Sequence, residues 1–320
     1  MAELTPMMRQ YLTIKEQHPD AILFFRLGDF YEMFFDDAVT ASRELELTLT
    51  GKDCGLPERA PMCGVPYHAA DAYIARLVER GYKVAIGEQM EDPATAKGLV
   101  RREVVRIVTP GTVIDLNALN ERKNNFIASV FLRGKQAGIA WCDVTTGEFF
   151  VRAAADQNAE LRAVLAMELP SEIITNAPEA VKGIVDTFIQ AYPASAYGIR
   201  EARKTLTKHF QVADIAALGL DASRTAAASA AGALIRYLGE TQKTALQHIN
   251  TLRVMAADET MPLDAATRRN LELTESLRSR SAYGSLLWLL DRTLTPMGGR
   301  MLRSWVEQPL IKRDMIQERL

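Results

Sequence analysis

No apolar run in this chain of 320 residues approaches the roughly 18 to 20 residues that a membrane-crossing helix needs. The opening Met1-Ala2-Glu3-Leu4-Thr5 also lacks the basic and then apolar pattern of a secretory leader, so a cytoplasmic protein with no membrane partner is expected. Cysteine is scarce: Cys54, Cys63 and Cys142 are odd in number and show no CxxC spacing, which argues against a disulfide framework and against a standard zinc site. Cys54, Cys63 and His68 match no familiar ligand spacing and have no evident fourth partner, so no metal is assigned. No segment fits G-x-x-x-x-G-K-[ST]: Gly51-Lys52 lacks the upstream glycine and the hydroxyl, and Lys97-Gly98 runs the wrong way round. These residues cannot cradle a nucleotide phosphate, and no enzyme is expected in them.

Excess positive charge is missing as well. The net charge is -2, and up to Thr112 there are 13 Lys and Arg against 17 Asp and Glu, a formal -4. Duplex DNA is normally gripped by neutralising phosphates, so a generic polycation is excluded. Any DNA binding has to rely on local basic positions such as Lys52, Lys97, Arg101, Arg102 and Arg106, on shape, or on further basic surface outside this chain. Each of these also reads as ordinary solvated charge.

The length suggests two or three domains, and 48% hydrophobic with 24% charged residues is ordinary for a globular protein. Ala21 to Phe25 reads as a buried strand, Asp36 to Leu49 as a helix, Ala72 to Glu79 as a helix, and Lys83 to Ile86 as a strand closed by Gly87. Gly28 falls where a strand gives way to a turn, a place that often needs a positive φ. An α/β layer fold follows. After the apolar run Val104 to Val108 and the turn Thr109-Pro110-Gly111-Thr112, the polar stretch Asn117 to Asn125 reads as an exposed connection.

Three strand-like runs follow, Phe126 to Leu132, Ile139 to Val144 and Phe149 to Arg152, with Gly134, Gly138 and Gly147 assigned to the turns of a meander. A helix from Asn158 to Glu168 and a strand from Glu172 to Thr175 complete a ribonuclease H-like pattern. A nuclease of that topology needs clustered carboxylates for two metal ions, and Asp143 has no convincing second acid. The Ala-rich stretch Ala222 to Gly239 reads as a closely packed helix. From Asp264, a candidate N-cap, everything reads helical, with Leu271, Leu286, Leu289, Leu290, Met301, Leu302 and Trp305 as an apolar surface and Gly298-Gly299 marking a bend or tight crossing. Asp314 is a candidate cap for a last helix that ends with Leu320 inside its first two turns, which suggests a fragment.

The most informative segment is Arg26-Leu27-Gly28-Asp29-Phe30-Tyr31-Glu32-Met33-Phe34, where a strand, a glycine, aromatics and a carboxylate meet. It can present a ring and an acid to a partner, and on pattern alone its aromatics read equally as core residues. Together with Thr5-Pro6-Met7-Met8, Pro61-Met62-Cys63-Gly64-Val65-Pro66-Tyr67-His68, Glu88-Gln89, Asp92-Pro93-Ala94 and Arg106 to Thr112, and later Asp264 to Leu273 and Thr295 to Leu302, this segment resembles the amino-terminal part of the bacterial MutS family of mismatch recognition proteins.

The resemblance implies a mixed-sheet mismatch-recognition domain at 1–113, a ribonuclease H-like connector at 114–257 and the start of a helical core domain at 258–320. It implies that Phe30 wedges into the minor groove and stacks on a mispaired base while Glu32 hydrogen-bonds that base. Lys52, Met62, Pro66, His68 and Lys97 are further candidate DNA contacts, and Tyr31 stays a core or turn aromatic. In the family, ATP and Mg, the homodimer and a partner such as MutL belong to a full-length protein. Mismatched duplex DNA is thus the expected partner. The alternatives are a scaffold that docks repair proteins without binding DNA, and a nuclease centred on Asp143.

Overall fold

The computed structural model describes residues 3–91, 98–113, 123–154, 159–243, 246–256, 259–261, 263 and 265–320. Lys97, the Asp92-Pro93-Ala94 motif, most of the connection at Asn117 to Asn125, Asn158 and the cap candidate Asp264 lie outside the described residues. No helix among the described residues is long and apolar enough to cross a membrane. The chain divides into two compact units, Met1–Ala118 with Leu238–Ala245, and Leu119–Tyr237 with Leu246–Leu320.

The first unit opens with helix α1 (Pro6–Gln17), which Pro6 starts at its first position and Thr5 caps through its hydroxyl to the Met8 N–H. Strands β1 (Ala21–Leu27) and β2 (Phe30–Phe34) form a hairpin that passes directly into helix α2 (Phe35–Leu45). Next come β3 (Thr50–Lys52), β4 (Ala60–Pro66), helix α3 (Ala70–Glu79), β5 (Lys83–Gln89) and β6 (Arg102–Val108). The sheet order is β3-β4-β2-β1-β5-β6, antiparallel except for the β1–β5 pair.

β1 is central in this sheet and covered on both faces, which is why its sequence is a continuous apolar run instead of an alternation. Tyr31, Met33, Phe24 and Ile22 enter one core with α2 and α3, whereas Phe34, Phe25, Leu23 and Ala21 enter another with Met8, Tyr11 and Ile14 of α1. The α2 helix stops at Glu46, which adopts a left-handed φ of 59°, so Leu49 lies outside it and is exposed, contrary to expectation. Gly87 does not close β5; it sits inside the strand, beside a shift in register against β6.

The second unit holds β7 (Phe126–Arg133), β8 (Gln136–Asp143), β9 (Glu148–Ala154), α4 (Ala159–Glu168), β10 (Glu172–Thr175), α5 (Pro178–Val181), β11 (Phe188–Ala191), α6 (Ile199–Phe210), α7 (Thr225–Gln242) as far as Tyr237, and the short β12 (Arg253–Val254). Its sheet runs β11-β10-β7-β8-β9-β12: an antiparallel meander of β7, β8 and β9, with β10, β11 and β12 added in parallel. Leu161, Val164 and Leu165 of α4 pack on the face of Ala128, Val130, Ile139 and Trp141.

Gly138 is not a turn residue but lies within β8, where a Cβ would come within 2.0 Å of the Ala226 carbonyl oxygen of α7. The small side chains of α7 serve the same purpose on its α6 side, where a Cβ on Gly232 would meet Ala202 at 2.5 Å. Ala227, Ala228, Ala230, Ala231 and Ala233 are fully buried. Helix propensity and close approach therefore select the same residue types.

Residues 265–320 form four short helices, α8 (Ala265–Asn270), α9 (Leu286–Leu290), α10 (Pro296–Glu307) and α11 (Arg313–Arg319), with non-helical chain between them, so helix is not continuous here. Asp314 falls within the first turn of α11 and makes no cap bond; Lys312 occupies the cap position. Leu271, Leu286, Leu289, Leu290, Met301 and Trp305 are all more than a third exposed, because no second layer among the described residues covers them.

This segment is tied to α4 by Arg268, which donates to the Met167 carbonyl at 2.8 Å, and by Gln308, which donates to Glu168 Oε1 at 3.0 Å. Burial pushes the Glu168 carboxyl up from the ordinary 4.5 to about 7, against the opposing pull of Arg268. A carboxyl raised in the folded state holds its proton while the unfolded chain has already lost its own, so folding stability is full below pH 4.5 and falls as pH rises through about 7. The expected loss is about 3 kcal/mol across that window. It is checked by urea titrations at pH 4.5, 6 and 8, and Glu168→Gln should flatten the profile.

Candidate nucleic-acid interface

The site is built from the β1–β2 hairpin and the neighbouring end of β4. Leu27 pairs with Phe30, so Gly28-Asp29 is a two-residue turn, and Gly28 at φ +59° supplies the positive angle that the first position of a type II′ turn requires. Phe30 therefore emerges directly from the turn. Among the five aromatics of β1 and β2, Phe24, Phe25, Tyr31 and Phe34 are at most 6% exposed, while Phe30 is 46% exposed. Strand periodicity puts Glu32 on the same face as Phe30 and sends Tyr31 to the opposite one.

Opposite residues of an antiparallel pair share a face, and β4 pairs Pro66 with Phe30, Gly64 with Glu32 and Met62 with Phe34. The structure thus brings Met62 and Pro66 onto the face of Phe30 and Glu32, with Met62 half-buried against the α1-side core. Lys52 joins them from β3, its Nζ 2.6 Å from Glu32 Oε2. His68 lies beyond β4 in the 3-10 turn Tyr67–Ala69, exposed and edge-on to Tyr67.

The turn that carries Phe30 is braced from the other face. Arg26 lies 3.8 Å from the centre of the Tyr67 ring and 5.5 Å from that of Tyr31, donates to the Gly28 carbonyl, and stands 3.9 Å from Glu88. Tyr67 N–H donates to the Asp29 carbonyl at 2.9 Å. The Tyr31 hydroxyl bonds to Glu88, and its pKa is raised by burial first and by Glu88 second. Arg26, Tyr67 and Glu88 were not among the candidates from sequence. The strand parity of Arg26 and Tyr31 was visible there, but the β1–β5 pairing that brings Glu88 alongside is long-range.

Arg102 is removed from the basic candidates. It is 7% exposed, donates to the Arg26 and Val100 carbonyls and to Gln10, and lies 5.0 Å from the centre of the Phe25 ring. Arg101 is exposed and paired with Glu103. Arg106 lines a cleft of about 310 Å³ with Tyr31, Tyr67, Asp71 and Ile74.

Other readings fare differently. All three cysteines are free and buried, and burial pushes Cys63 up to about 11 and Cys142 well above the usual thiol range. No cluster of three or more metal-ligating side chains occurs among the described residues. Asp143 does face a second acid, Glu148, in the β8–β9 register, a pairing missed in the sequence. Asp143 is buried and accepts from the Asn125 N–H, the Thr145 N–H and the Thr145 hydroxyl, which is the work of a turn cap, while Glu148 accepts from Asn124.

Comparison with known families matches residues 5–117 to MutS domain I, 125–250 to MutS domain II and 266–320 to MutS domain III. The chain belongs to the MutS family. It is 52% identical to the DNA mismatch repair protein MutS of Ruminiclostridium cellulolyticum over 100% of its length and 37% of the relative's. For the same protein of Acetivibrio thermocellus the values are 53%, 100% and 38%, and for that of Brevibacillus brevis 47%, 100% and 36%. The chain thus spans under two fifths of the length of these MutS relatives and carries domains I, II and III in order. Phe30, Glu32 and the brace around Arg26 all fall in MutS domain I, and Asp143 with Glu148 falls in domain II.

Proposed function

We propose that this chain is the mismatch-reading and connecting part of a MutS-type DNA repair protein, in which Phe30 wedges into the minor groove and stacks on a mispaired base while Glu32 hydrogen-bonds that base. The observation that carries this reading is the exposure of Phe30 alone among the aromatics of its hairpin, on the same face as Glu32. A ring face stacks on any base, worth about 1–3 kcal/mol by single-strand precedent, which suits a reader of many mispairs. Unstacking and kinking a duplex costs a few kcal/mol, least where pairing is already poor, so discrimination comes from deformability.

In this reading, residues 1–113 form the mismatch-recognition domain, 114–257 a ribonuclease H-like connector and 258–320 the start of a helical core. Met62, Pro66, His68 and Lys52 border the wedge as candidate contacts, and Lys97 is a further candidate contact outside the described residues. ATP hydrolysis with Mg, homodimerisation and docking of MutL through the connector are functions of a longer relative, and the chain has no catalysis of its own. The three antiparallel strands followed by parallel additions support the connector assignment. Arg26 and Lys52, the basic side chains placed at this hairpin, are each paired with a carboxylate, Glu88 and Glu32, which favours one second reading, a connector that docks repair proteins while domain I binds DNA weakly.

Fluorescence anisotropy of labelled G·T and matched duplexes at low salt tests this. A preference for the G·T duplex that falls about 10-fold in Phe30→Ala is expected, the equivalent of about 1.4 kcal/mol of stacking. Equal binding of the two duplexes by both proteins would instead support the docking reading.

A further inference from the structure

We propose that Lys52 is a positioning residue for Glu32 and not a contact to DNA phosphate. This rests on the mismatch-reading assignment of Phe30 and Glu32. Lys52 ends β3, the edge strand, and β4 lies between it and β2, yet its ammonium reaches Glu32 Oε2 at 2.6 Å. Two features make that reach possible. Gly64, directly opposite Glu32, carries no side chain and leaves the space over β4 that the Glu32 side chain crosses; a Cβ there would already touch Glu32 Cγ at 3.4 Å and crowd the Tyr31 carbonyl oxygen at 3.2 Å. Phe34 offers its ring 5.5 Å from Lys52 Nζ, a second attraction that holds the ammonium over the sheet.

The consequence is chemical. With Oε2 occupied, the carboxylate is turned to one orientation and Oε1 remains for a ligand. The pair also carries no net charge, which lowers the repulsion Glu32 meets on approaching a polyanion. The ammonium, for its part, cannot leave for a phosphate without stranding Glu32 beside the duplex. A free phosphate-binding lysine has no such constraint.

The test compares Lys52→Met, Lys52→Arg, Glu32→Gln and the Lys52→Met/Glu32→Gln pair in the 320-residue chain, measuring affinity for G·T and matched duplexes across a salt series, with melting temperatures confirming that each variant is folded. A positioning role predicts that Lys52→Met cuts the mismatch-over-matched ratio about 3- to 10-fold, in the range of coupled neighbours. The salt slope should be unchanged, Lys52→Arg should keep most of the ratio, and adding Lys52→Met to Glu32→Gln should cause no further loss. Equal weakening of both duplexes with a salt slope smaller by about 1 overturns the proposal, because Lys52 then touches phosphate. Absence of a mismatch preference in the unsubstituted chain overturns the underlying assignment of Phe30 and Glu32 instead, and the role of Lys52 falls with it.

Discussion

Gly138→Ala is expected to destabilise the second unit by about 3 kcal/mol or more, the upper range for overpacking, and to lower its melting temperature by roughly 10 °C. The added Cβ would sit 2.0 Å from the Ala226 carbonyl oxygen, 2.1 Å from its carbon and 2.5 Å from the Ala227 nitrogen. All three are backbone atoms of α7, so no side-chain rotation relieves the clash and the helix has to lift off the sheet. Circular dichroism melts of the two proteins decide the matter. Gly134→Ala serves as the control, since nothing lies within 4 Å of its Cβ and only its φ of +59° is strained. A Gly138→Ala variant that melts with the parent chain would mean that α7 is not seated on β8 as described.

Asp37→Ala is expected to cost about 3–5 kcal/mol, the usual penalty for removing one partner of a buried ion pair. Asp37 is 6% exposed and accepts from Lys15 Nζ at 2.8 Å, the Tyr11 hydroxyl at 3.0 Å and the Leu23 N–H at 2.9 Å, so it joins α1, β1 and the start of α2. The pKa of Tyr11 is raised, by burial first and by Asp37 second, so this hydroxyl stays a donor. With the acid gone, the Leu23 N–H loses its partner and Lys15 keeps only the Ala21 carbonyl. Urea unfolding of Asp37→Ala, Lys15→Met and the double variant Lys15→Met/Asp37→Leu is the appropriate series. The double variant should be markedly more stable than Asp37→Ala, because apolar replacement of both charges removes the stranded ammonium. The effect reaches the candidate site, since Tyr11 also contacts the Phe34 carbonyl at the end of β2, four residues from Phe30.

Local pattern made part of this site legible before any fold was known. The apolar run Ala21 to Phe25 and the glycine after it contain the strand and the turn, whereas the alternation in Phe30-Tyr31-Glu32-Met33 was missed as a second strand. What the pattern left open was which aromatic faces outward, because β1 is covered on both sides and gives no alternation to mark inside from outside, and the faces of β2 are fixed only by its pairing with β1 and β4. Helix ends and glycine roles were misjudged for the same kind of reason. Leu49 fits a helical face that Glu46 terminates, and Gly138 looks like a turn glycine yet is required by a helix nearly ninety residues further along. Arg102 reads as surface charge until three chain segments supply its acceptors.

Family membership, domain order, the turn at Gly28 and the want of net positive charge were all determined by the sequence itself, since each depends on residue identity or on neighbours a few positions away. Tertiary structure alone decided the exposure of Phe30, the brace of Arg26 between Tyr67 and Glu88, and the capture of Glu32 by Lys52 across β4. Those depend on strand order and register, which long-range pairing sets and no local pattern encodes.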